Sequence, residues 1–513
     1  MDPAISTDPF DLAVIGGGIN GAGIARDAAG RGLRVLLVER DDLASHTSSA
    51  STKLAHGGLR YLEQGHIGLV RQSLHEREVL LRTAPHLCRP LRFVMPQGHR
   101  PAWQLRVGLW LYDRLAGHSS LPASSATELA LHAAGAPLQV QHTRAFIYSD
   151  AWVDDARLVI ANAQDANARG ATVLTRTACI RAERASDASH WQLSLQAAGS
   201  RPLPARCRAL VNATGPWAAR FLQDATPSPP RHRVRLVRGS HIVVPALFEH
   251  DHAYILQNPD GRIVFAIPWQ GHYTMIGTTE AEHPDDPADA RASALEVAYL
   301  CESVGRYFHR TPTPAEVVWS FAGVRPLLDD GTHNSSKVSR EHLLDLDTGG
   351  HRNGAPLLTI WGGKLTTYRA IAAQAVGMLA PHLGSQAPDW TAHVALPGGD
   401  IPGGDTTTWL ADLLHRHPSL PPRLLQRWAR SYGSTCANLL DGVRSLADLG
   451  EEVLPGLHTR ELDYLIDYEW ARSAQDVLWR RSKLGLQFAP DGIEAAEARL
   501  DRWLLDRLDG DRR

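Results

Sequence analysis

The stretch "DLAVIGGGINGAGIARDAAGRGLRVLLVER", from Asp11 to Arg40, constrains this chain more than any other. It sets four glycines, Gly16, Gly17, Gly18 and Gly21, directly after a short apolar run and directly before small and apolar residues at helical spacing. A continuous apolar run of that length is expected of a buried parallel strand. "LRVLLVER" then reads as a second buried strand, which makes a β-α-β unit of about 30 residues. Within it Gly16, Gly18 and Gly21 fit G-x-G-x-x-G. The first glycine makes the tight turn, the second admits a pyrophosphate against the backbone, and the third lets helix and strand pack closely. The helix N-terminus faces the phosphates. Glu39, at the end of the second strand, is placed to accept from ribose hydroxyls, which favours a nucleotide with a free 2′-OH. The glycine pattern alone is a weak signal. With both strands and the acid beside it, it predicts dinucleotide binding.

The rest of the composition narrows the class. A chain of 513 residues is expected to form two or three domains. With 43% hydrophobic and 21% charged residues it has ordinary globular material. A net charge of −2 gives no field that would attract nucleic acid, and no nucleic-acid partner is expected. Its 5 cysteines are scattered without a CxxC, which argues against a disulfide framework or a metal site and fits a reducing cytoplasm. "MDPAISTDPF" lacks the basic and apolar regions of a secretory signal, and no apolar run is long enough to span a bilayer.

Three further segments point at the same ligand. After Arg40 comes "DDLASHTSSASTKLAHGGLRYLEQG", polar and without strand or helix periodicity. An NAD domain ordinarily continues at once with further β-α units, whereas this segment reads as a loop laid along an extended polar ligand. Ser48, Ser49, Ser51 and Thr52 offer small hydroxyls, and Gly57 and Gly58 allow close backbone approach. "CRALVNATGPWAARFL" is a strand ending in Thr214-Gly215, with Pro216 placed to open a helix. "LLTIWGGKLTTYRAIAAQAVGML" is a strand meeting Gly362-Gly363, with a helix opening near Leu365 whose free N–H groups would face the ligand. With the opening stretch these make three strand-glycine-helix junctions spread along the chain, which predict one sheet assembled from distant segments.

Read together, "IGGGINGAGIARDAAGRGL", "TSSASTKLAHGGLRYLE", "WVDDARLV", "VNATGPW", "GSHIVVP", "YILQN", "GVRPL" and "GGKLTTYR" resemble the FAD-dependent, aerobic glycerol-3-phosphate dehydrogenase family. The resemblance extends to "LPGG" at Leu396 and to "YEWARSAQDVLWRRSKLG" near the C-terminus. It implies an α/β fold of the D-amino-acid-oxidase type. In that fold an FAD-binding Rossmann-like domain is interleaved with an antiparallel-sheet substrate domain and followed by a C-terminal helical domain. It implies FAD as cofactor and oxidation of sn-glycerol 3-phosphate to dihydroxyacetone phosphate. Bacterial members of the family pass the electrons to membrane quinone, and a subgroup uses oxygen. The implied placement is cytoplasmic, peripheral on the inner face of the cell membrane, with a homodimer as a further expectation.

The chemistry can be set against the residues. Oxidising a secondary alcohol needs a hydride acceptor and a base for the hydroxyl proton, and a phosphate substrate needs fixed cations. Arg60, Arg325 and Lys364 are the candidate phosphate cations, with Tyr61 beside Arg60. Arg325 alternatively holds the C2 oxygen as charge develops there. His241 is the first candidate for the base and His56 the second. The cofactor is expected against Gly16, Gly18, Gly21, Glu39 and Arg40, and against the loop residues Thr47, Ser48, Ser49, Lys53, His56 and Gly57. It then meets the later turns through Thr214, Gly215, Gly362, Gly363, Lys364, Leu365 and Thr366. A flavin-binding scaffold without catalysis would lack these cations, and an amine oxidase would need only one Arg for a carboxylate.

The expected organisation is a flavoprotein body over 1–395 and a helical domain over 396–513. The nucleotide-binding parts are placed near 8–95, 155–225 and 355–385, and the substrate domain chiefly at 230–350, where "RHRVRLVRGSHIVVP", "GRIVFAIPW" and "HYTMIGTT" read as antiparallel strands. "ATPSPP" and "LPGGDIPGGD" read as linkers. In the helical domain Leu462, Leu465, Ile466 and Trp470 are expected on one face, and the alternating charges that follow on a solvated one. For membrane contact, "HRPAWQLRVGLWLYDRLAGH" suits either an interfacial helix or a helix buried between domains. Arg480, Arg481 and Lys483 form a weaker second candidate.

Overall fold

The computed structural model describes residues 8–63, 65–98, 101–329, 342–350 and 354–510. The opening stretch folds as a strand Phe10–Ile15, a helix Ile19–Gly30 and a second strand Val35–Val38. Both strands are shielded from water over almost their whole length, as parallel strands covered on two faces must be. Five segments far apart in sequence then pair in parallel. In order they are Leu357–Gly362, Leu203–Asn212, Phe10–Ile15, Val35–Val38 and Thr172–Leu174. The antiparallel strands His342–Asp347, Trp191–Ala197 and Thr177–Arg184 complete an 8-stranded sheet.

Helix Ile19–Gly30 lies between this sheet and the helices Asp155–Ala168 and Tyr368–Leu383, so it has to be thin. Its small residues provide that. A Cβ on Gly23 would come within 2.7 Å of the Tyr368 ring, and one on Gly21 within 1.8 Å of the Gly16 carbonyl oxygen. Asp154 caps the neighbouring helix by accepting the Arg157 amide at 3.2 Å. Buried aliphatic side chains such as Val14, Leu37 and Ile371 contribute about 1.5–3 kcal/mol each to this core.

A second, 10-stranded sheet stands against the first. Val234–Pro245, Ile263–Trp269 and Tyr273–Gly277 form antiparallel strands in it, and Trp319–Leu328 pairs along nearly all of Val234–Pro245. The sheet also takes Cys88–Pro96 and Arg144–Val153, which puts residues 88–95 with the second sheet rather than with a nucleotide-binding part. Conversely, His342–Asp347 leaves the 230–350 segment to edge the first sheet, while 330–341 lies outside the described residues. Strand periodicity says which face is apolar but not which sheet a strand will join.

The helices Thr406–Arg416, Pro422–Tyr432, Thr459–Glu469 and Ile493–Gly510 build a separate core around Leu425, Trp428, Leu465 and Leu500. Three expectations change here. Leu462, Leu465 and Ile466 are buried in that core, but Trp470 ends the helix at φ +56° and packs instead against the core of the first sheet. "LPGGDIPGGD" is not a loose tether, because Leu396 is buried and a Cβ on Gly399 would strike the Thr83 carbonyl at 2.2 Å. The charges at 480–483 are not solvated, since Arg481 and Lys483 are buried in ion pairs between domains. All five cysteines are free thiols.

Candidate active site

One cavity of about 590 Å³ opens where the carboxyl ends of the parallel strands meet the second sheet. Its nucleotide end is built from the opening motif. Gly16 turns at φ +111°, a conformation that favours glycine. Gly18 lies on the wall and has no side chain of its own to cap the helix that starts after it. Gly17 donates its amide to Glu39 Oε2 at 2.6 Å, and Asp41 donates to Oε1 at 2.8 Å. Burial pushes the Glu39 carboxyl upward, and these two amides pull it back. Glu39 and Arg40 both line the cavity.

The polar loop after Arg40 divides its residues between ligand and protein. Thr47, Ser48 and His56 line the cavity. Ser48 Oγ accepts the Ile19 amide at 3.0 Å, and Thr47 Oγ1 donates to the Val324 carbonyl at 2.7 Å, so the loop bridges both sheets. Ser49, Lys53 and Gly57 lie off the wall. The Lys53 ammonium is buried against Asp155 Oδ1 at 2.7 Å and donates to the Ser49 carbonyl at 3.0 Å. Ser51 donates to the other Asp155 oxygen at 2.7 Å, and Gly57 gives its amide to the Tyr112 hydroxyl at 2.9 Å. Ser49, Lys53 and Gly57 hold the loop rather than face a ligand, whereas Ser51 both holds the loop and lines the cavity. Gly21 likewise serves packing alone.

The two later turns close the far side. Thr214 and Gly215 follow one strand, and Gly362 to Thr366 follow another, all on the cavity wall. Gly363 adopts φ +102°. Leu365 opens a single turn of 3₁₀ helix before Tyr368–Leu383, and no side chain caps either start. Asn20, inside the glycine motif, ties the turns together by donating to the Gly362 carbonyl at 3.4 Å.

Arg325, Lys364 and Tyr61 reach the same cavity. Lys364 Nζ sits 3.7 Å over the Tyr61 ring. Arg325 donates to Thr278 Oγ1 at 3.0 Å, in space left by Gly239, where a Cβ would come within 2.6 Å of Nη2. Arg60 does not line the cavity, and its guanidinium is 4.0 Å from Glu280. His241 stands one layer back. It is fully buried, stacks on Phe321 at 4.8 Å and reaches the cavity only through Thr52, whose hydroxyl lies 2.9 Å from Nε2. Burial, then the charges of Arg325 and Lys53, hold its pKa well below the usual imidazole range.

Ala178, Cys179, Trp217 and Phe221 form a further part of the wall that no motif in the sequence marks as a site. Arg40 lies 4.1 Å over the Trp217 ring there. Trp217 stands in the "GPW" motif, but nothing in the pattern around Cys179 marks it, because only tertiary folding brings that strand to the wall.

These features fit FAD. Gly18 gives the backbone a bare face on the cavity, where a Cβ would already be 3.1 Å from Ser48 Oγ. A helix start whose cap residue is a glycine on the wall suits a pyrophosphate, and Glu39 suits a ribose.

The comparisons agree. The family model described as FAD dependent oxidoreductase matches residues 11–369, and that described as C-terminal domain of alpha-glycerophosphate oxidase matches residues 390–502. The chain is 50% identical over 499 residues to a glycerol-3-phosphate dehydrogenase of Pseudomonas aeruginosa, covering 96% of this chain and 95% of the relative. It is 45% identical to the aerobic glycerol-3-phosphate dehydrogenase of Escherichia coli, with 97% of each covered. It is 44% identical to a D-erythritol 1-phosphate dehydrogenase of Brucella abortus, covering 96% of this chain and 97% of the relative. Among solved structures, the FAD complex of a Bacillus halodurans glycerol-3-phosphate dehydrogenase superposes with a TM-score of 0.78 at 26% identity, covering 98% of this chain and 92% of that one. This chain belongs to the FAD-dependent glycerol-3-phosphate dehydrogenase family.

Proposed function

We propose that this chain oxidises sn-glycerol 3-phosphate to dihydroxyacetone phosphate and passes the electrons to a membrane quinone. The observation that carries this reading is the meeting of two cations, Arg325 and Lys364, with the glycine turns of a dinucleotide cradle on one cavity. Bound FAD supplies the acceptor for the hydride that leaves C2. The remaining work falls to side chains of this chain. A phosphate dianion enters a confined cavity only where fixed cations replace its water, and Arg325 and Lys364 provide them. Thr278 sets the plane of the Arg325 guanidinium, and the Tyr61 ring supports the Lys364 ammonium. The C2 hydroxyl proton leaves through the Thr52 hydroxyl to His241 Nε2, a neutral imidazole whose lowered pKa lets it relay the proton rather than keep it. His56, directly on the wall, is the second candidate.

The acceptor needs a route to the bilayer, and among the described residues no helix is long and apolar enough to cross it. Helix Ala102–Leu115 supports attachment at the surface. Leu105, Leu109 and Tyr112 turn inward, whereas Trp103 is 66% exposed, with Val107 and Trp110 each at 56% on the same outward stripe. Arg106 and Arg114 are exposed beside them, and Arg114 lies 5.0 Å from the Trp110 ring. A face of Trp and Arg suits the headgroup layer at the inner side of the cell membrane. His99 and Arg100, the first residues of that segment, lie outside the described residues.

Turnover of glycerol 3-phosphate by the holoenzyme with a short-chain quinone under nitrogen, beside peroxide formation in air, tests substrate and acceptor together. Quinone-dependent dihydroxyacetone phosphate with little peroxide supports the proposal. Fast peroxide without quinone turnover replaces the acceptor by oxygen. Faster oxidation of D-erythritol 1-phosphate replaces the substrate.

A further inference from the structure

The motif "YEWARSAQDVLWRRSKLG" contributes nothing to the cavity wall, yet its charged residues Glu469, Asp476, Arg481 and Lys483 are buried. Arg480 Nε donates to one oxygen of Asp42 at 2.7 Å, and Arg481 Nη2 donates to the other at 2.8 Å. Arg176 bridges the pair, donating to Asp476 at 2.5 Å while lying 4.0 Å from Asp42. Arg481 also donates to the Glu469 carbonyl at 2.5 Å, and its side chain is fully enclosed. Burial acts to raise the Asp476 carboxyl, but Arg481, Arg480 and Arg176 together hold it at about 2.

Asp42 lies in the turn that follows Val35–Val38, and the other side of that turn is cavity wall. Its carbonyl accepts both the hydroxyl and the amide of Ser45, at 2.6 and 3.2 Å. Two residues on, Ala44 at φ +60° donates its amide to the Gly17 carbonyl at 3.2 Å. Arg176 gives its own amide to the Asp41 carbonyl at 2.8 Å. Glu39, Ser45, His46 and Ser48 are thus presented to the cavity by a turn whose outer anchor is a carboxylate. A carboxylate that deep is stable only when paired, and both of its close partners come from the C-terminal domain. The same segment reaches the second sheet as well. Trp479 stacks on Trp319 at 4.6 Å, and Trp319 opens the strand that carries Arg325.

From this arrangement we infer that segment Asp476–Arg481 is a cofactor-retention brace: through Asp42, Arg480 and Arg481 hold the turn 39–48 in its dinucleotide-gripping form, so docking of the C-terminal domain and binding of FAD are coupled. Arg480 and Arg481 are positioning residues, since they act through Asp42. The coupling is reciprocal, so FAD tightens the docking of the segment as much as the segment tightens FAD.

The test uses the full-length holoprotein and apoprotein prepared from it. Titration with FAD, read by flavin fluorescence, gives Kd for Asp42→Asn, for Arg480→Gln/Arg481→Gln and for all three changes together. Each set should weaken FAD by about 5- to 150-fold, the range of typical coupling between sites. The triple variant should lose little more FAD affinity than either set alone, because each set already breaks the contact through Asp42. Arg507→Gln, which removes an exposed pair with Asp463 in the same domain, should leave Kd unchanged. In the parent protein, hydrogen exchange at 470–487 should slow when FAD is added, although none of those residues lines the cavity. Soluble variants that melt earlier but bind FAD as tightly as the parent would overturn the brace. So would identical exchange at 470–487 with and without FAD, a readout that stands even if a variant fails to fold.

Discussion

Glu39 Oε2 accepts the Gly17 amide at 2.6 Å, so the acid proposed to meet the ribose is itself held by the glycine turn. The turn and the acid are therefore one unit, and a change in the turn acts on the whole nucleotide end. Gly18→Val should yield folded protein without FAD, because even a Cβ there comes within 3.1 Å of Ser48 Oγ and the branched side chain fills the pyrophosphate space. The flavin-to-protein ratio after purification checks this. A near-stoichiometric yellow protein would remove Gly18 from the site.

The two cavity cations should separate kinetically. Arg325→Ala should lower kcat/KM by at least about 10- to 150-fold, the value of a charge-assisted hydrogen bond, and by more if the guanidinium also supports the C2 oxygen. Lys364→Ala should mainly raise KM if the ammonium only holds phosphate. FAD content should stay at the parent level in the arginine variant. Steady-state kinetics with glycerol 3-phosphate decide, and unchanged constants in either variant would exclude that residue from substrate binding.

Acid should destabilise the fold through buried imidazoles. Burial, then the charge of Arg157, lowers His86 to about 3, against about 6.5 in an unfolded chain. The unfolded state therefore takes up this proton first. Stability is fully present above about pH 6.5 and falls as pH drops toward 3, by up to about 1.4 kcal/mol per pH unit. His241, lowered by burial, Arg325 and Lys53, acts in the same direction. Urea melts across that window should show a shallower slope in His86→Gln than in the parent. Equal slopes would show that His86 titrates normally in the fold.

Membrane attachment should depend on the outward stripe of helix Ala102–Leu115. Trp110→Glu with Arg106→Glu should reduce co-flotation with anionic liposomes and quinone turnover, while activity with a soluble dye persists. Raised salt should weaken the parent's binding in part, since the tryptophans contribute without charge. Normal flotation of the double variant would discard this segment, and no flotation of the parent would favour a soluble acceptor.

Residues fixed by a local backbone demand were legible from the sequence. Gly16 at φ +111° and Gly21 beneath the Gly16 carbonyl follow from the motif alone, as do the turns at Gly215 and Gly363. Partners distant in sequence were not. A run of hydroxyls and a lysine looks the same whether it faces a ligand or a buried acid, and Asp155 claims Ser51 and Lys53. For the same reason Arg480 and Arg481 read as solvated charges, since Asp42 lies some 440 positions away. His241 was legible as a residue of the site region, but its retreat behind Thr52 depends on stacking with Phe321 and on room left by Gly277.

The most direct test of the whole account is anaerobic mixing of the holoenzyme with sn-glycerol 3-phosphate, followed in the visible flavin band. Bleaching of the band with one dihydroxyacetone phosphate formed per FAD, and no bleaching in the Arg325→Ala variant over the same time, is the predicted result. A flavin that stays oxidised in the parent enzyme at saturating substrate would contradict the account.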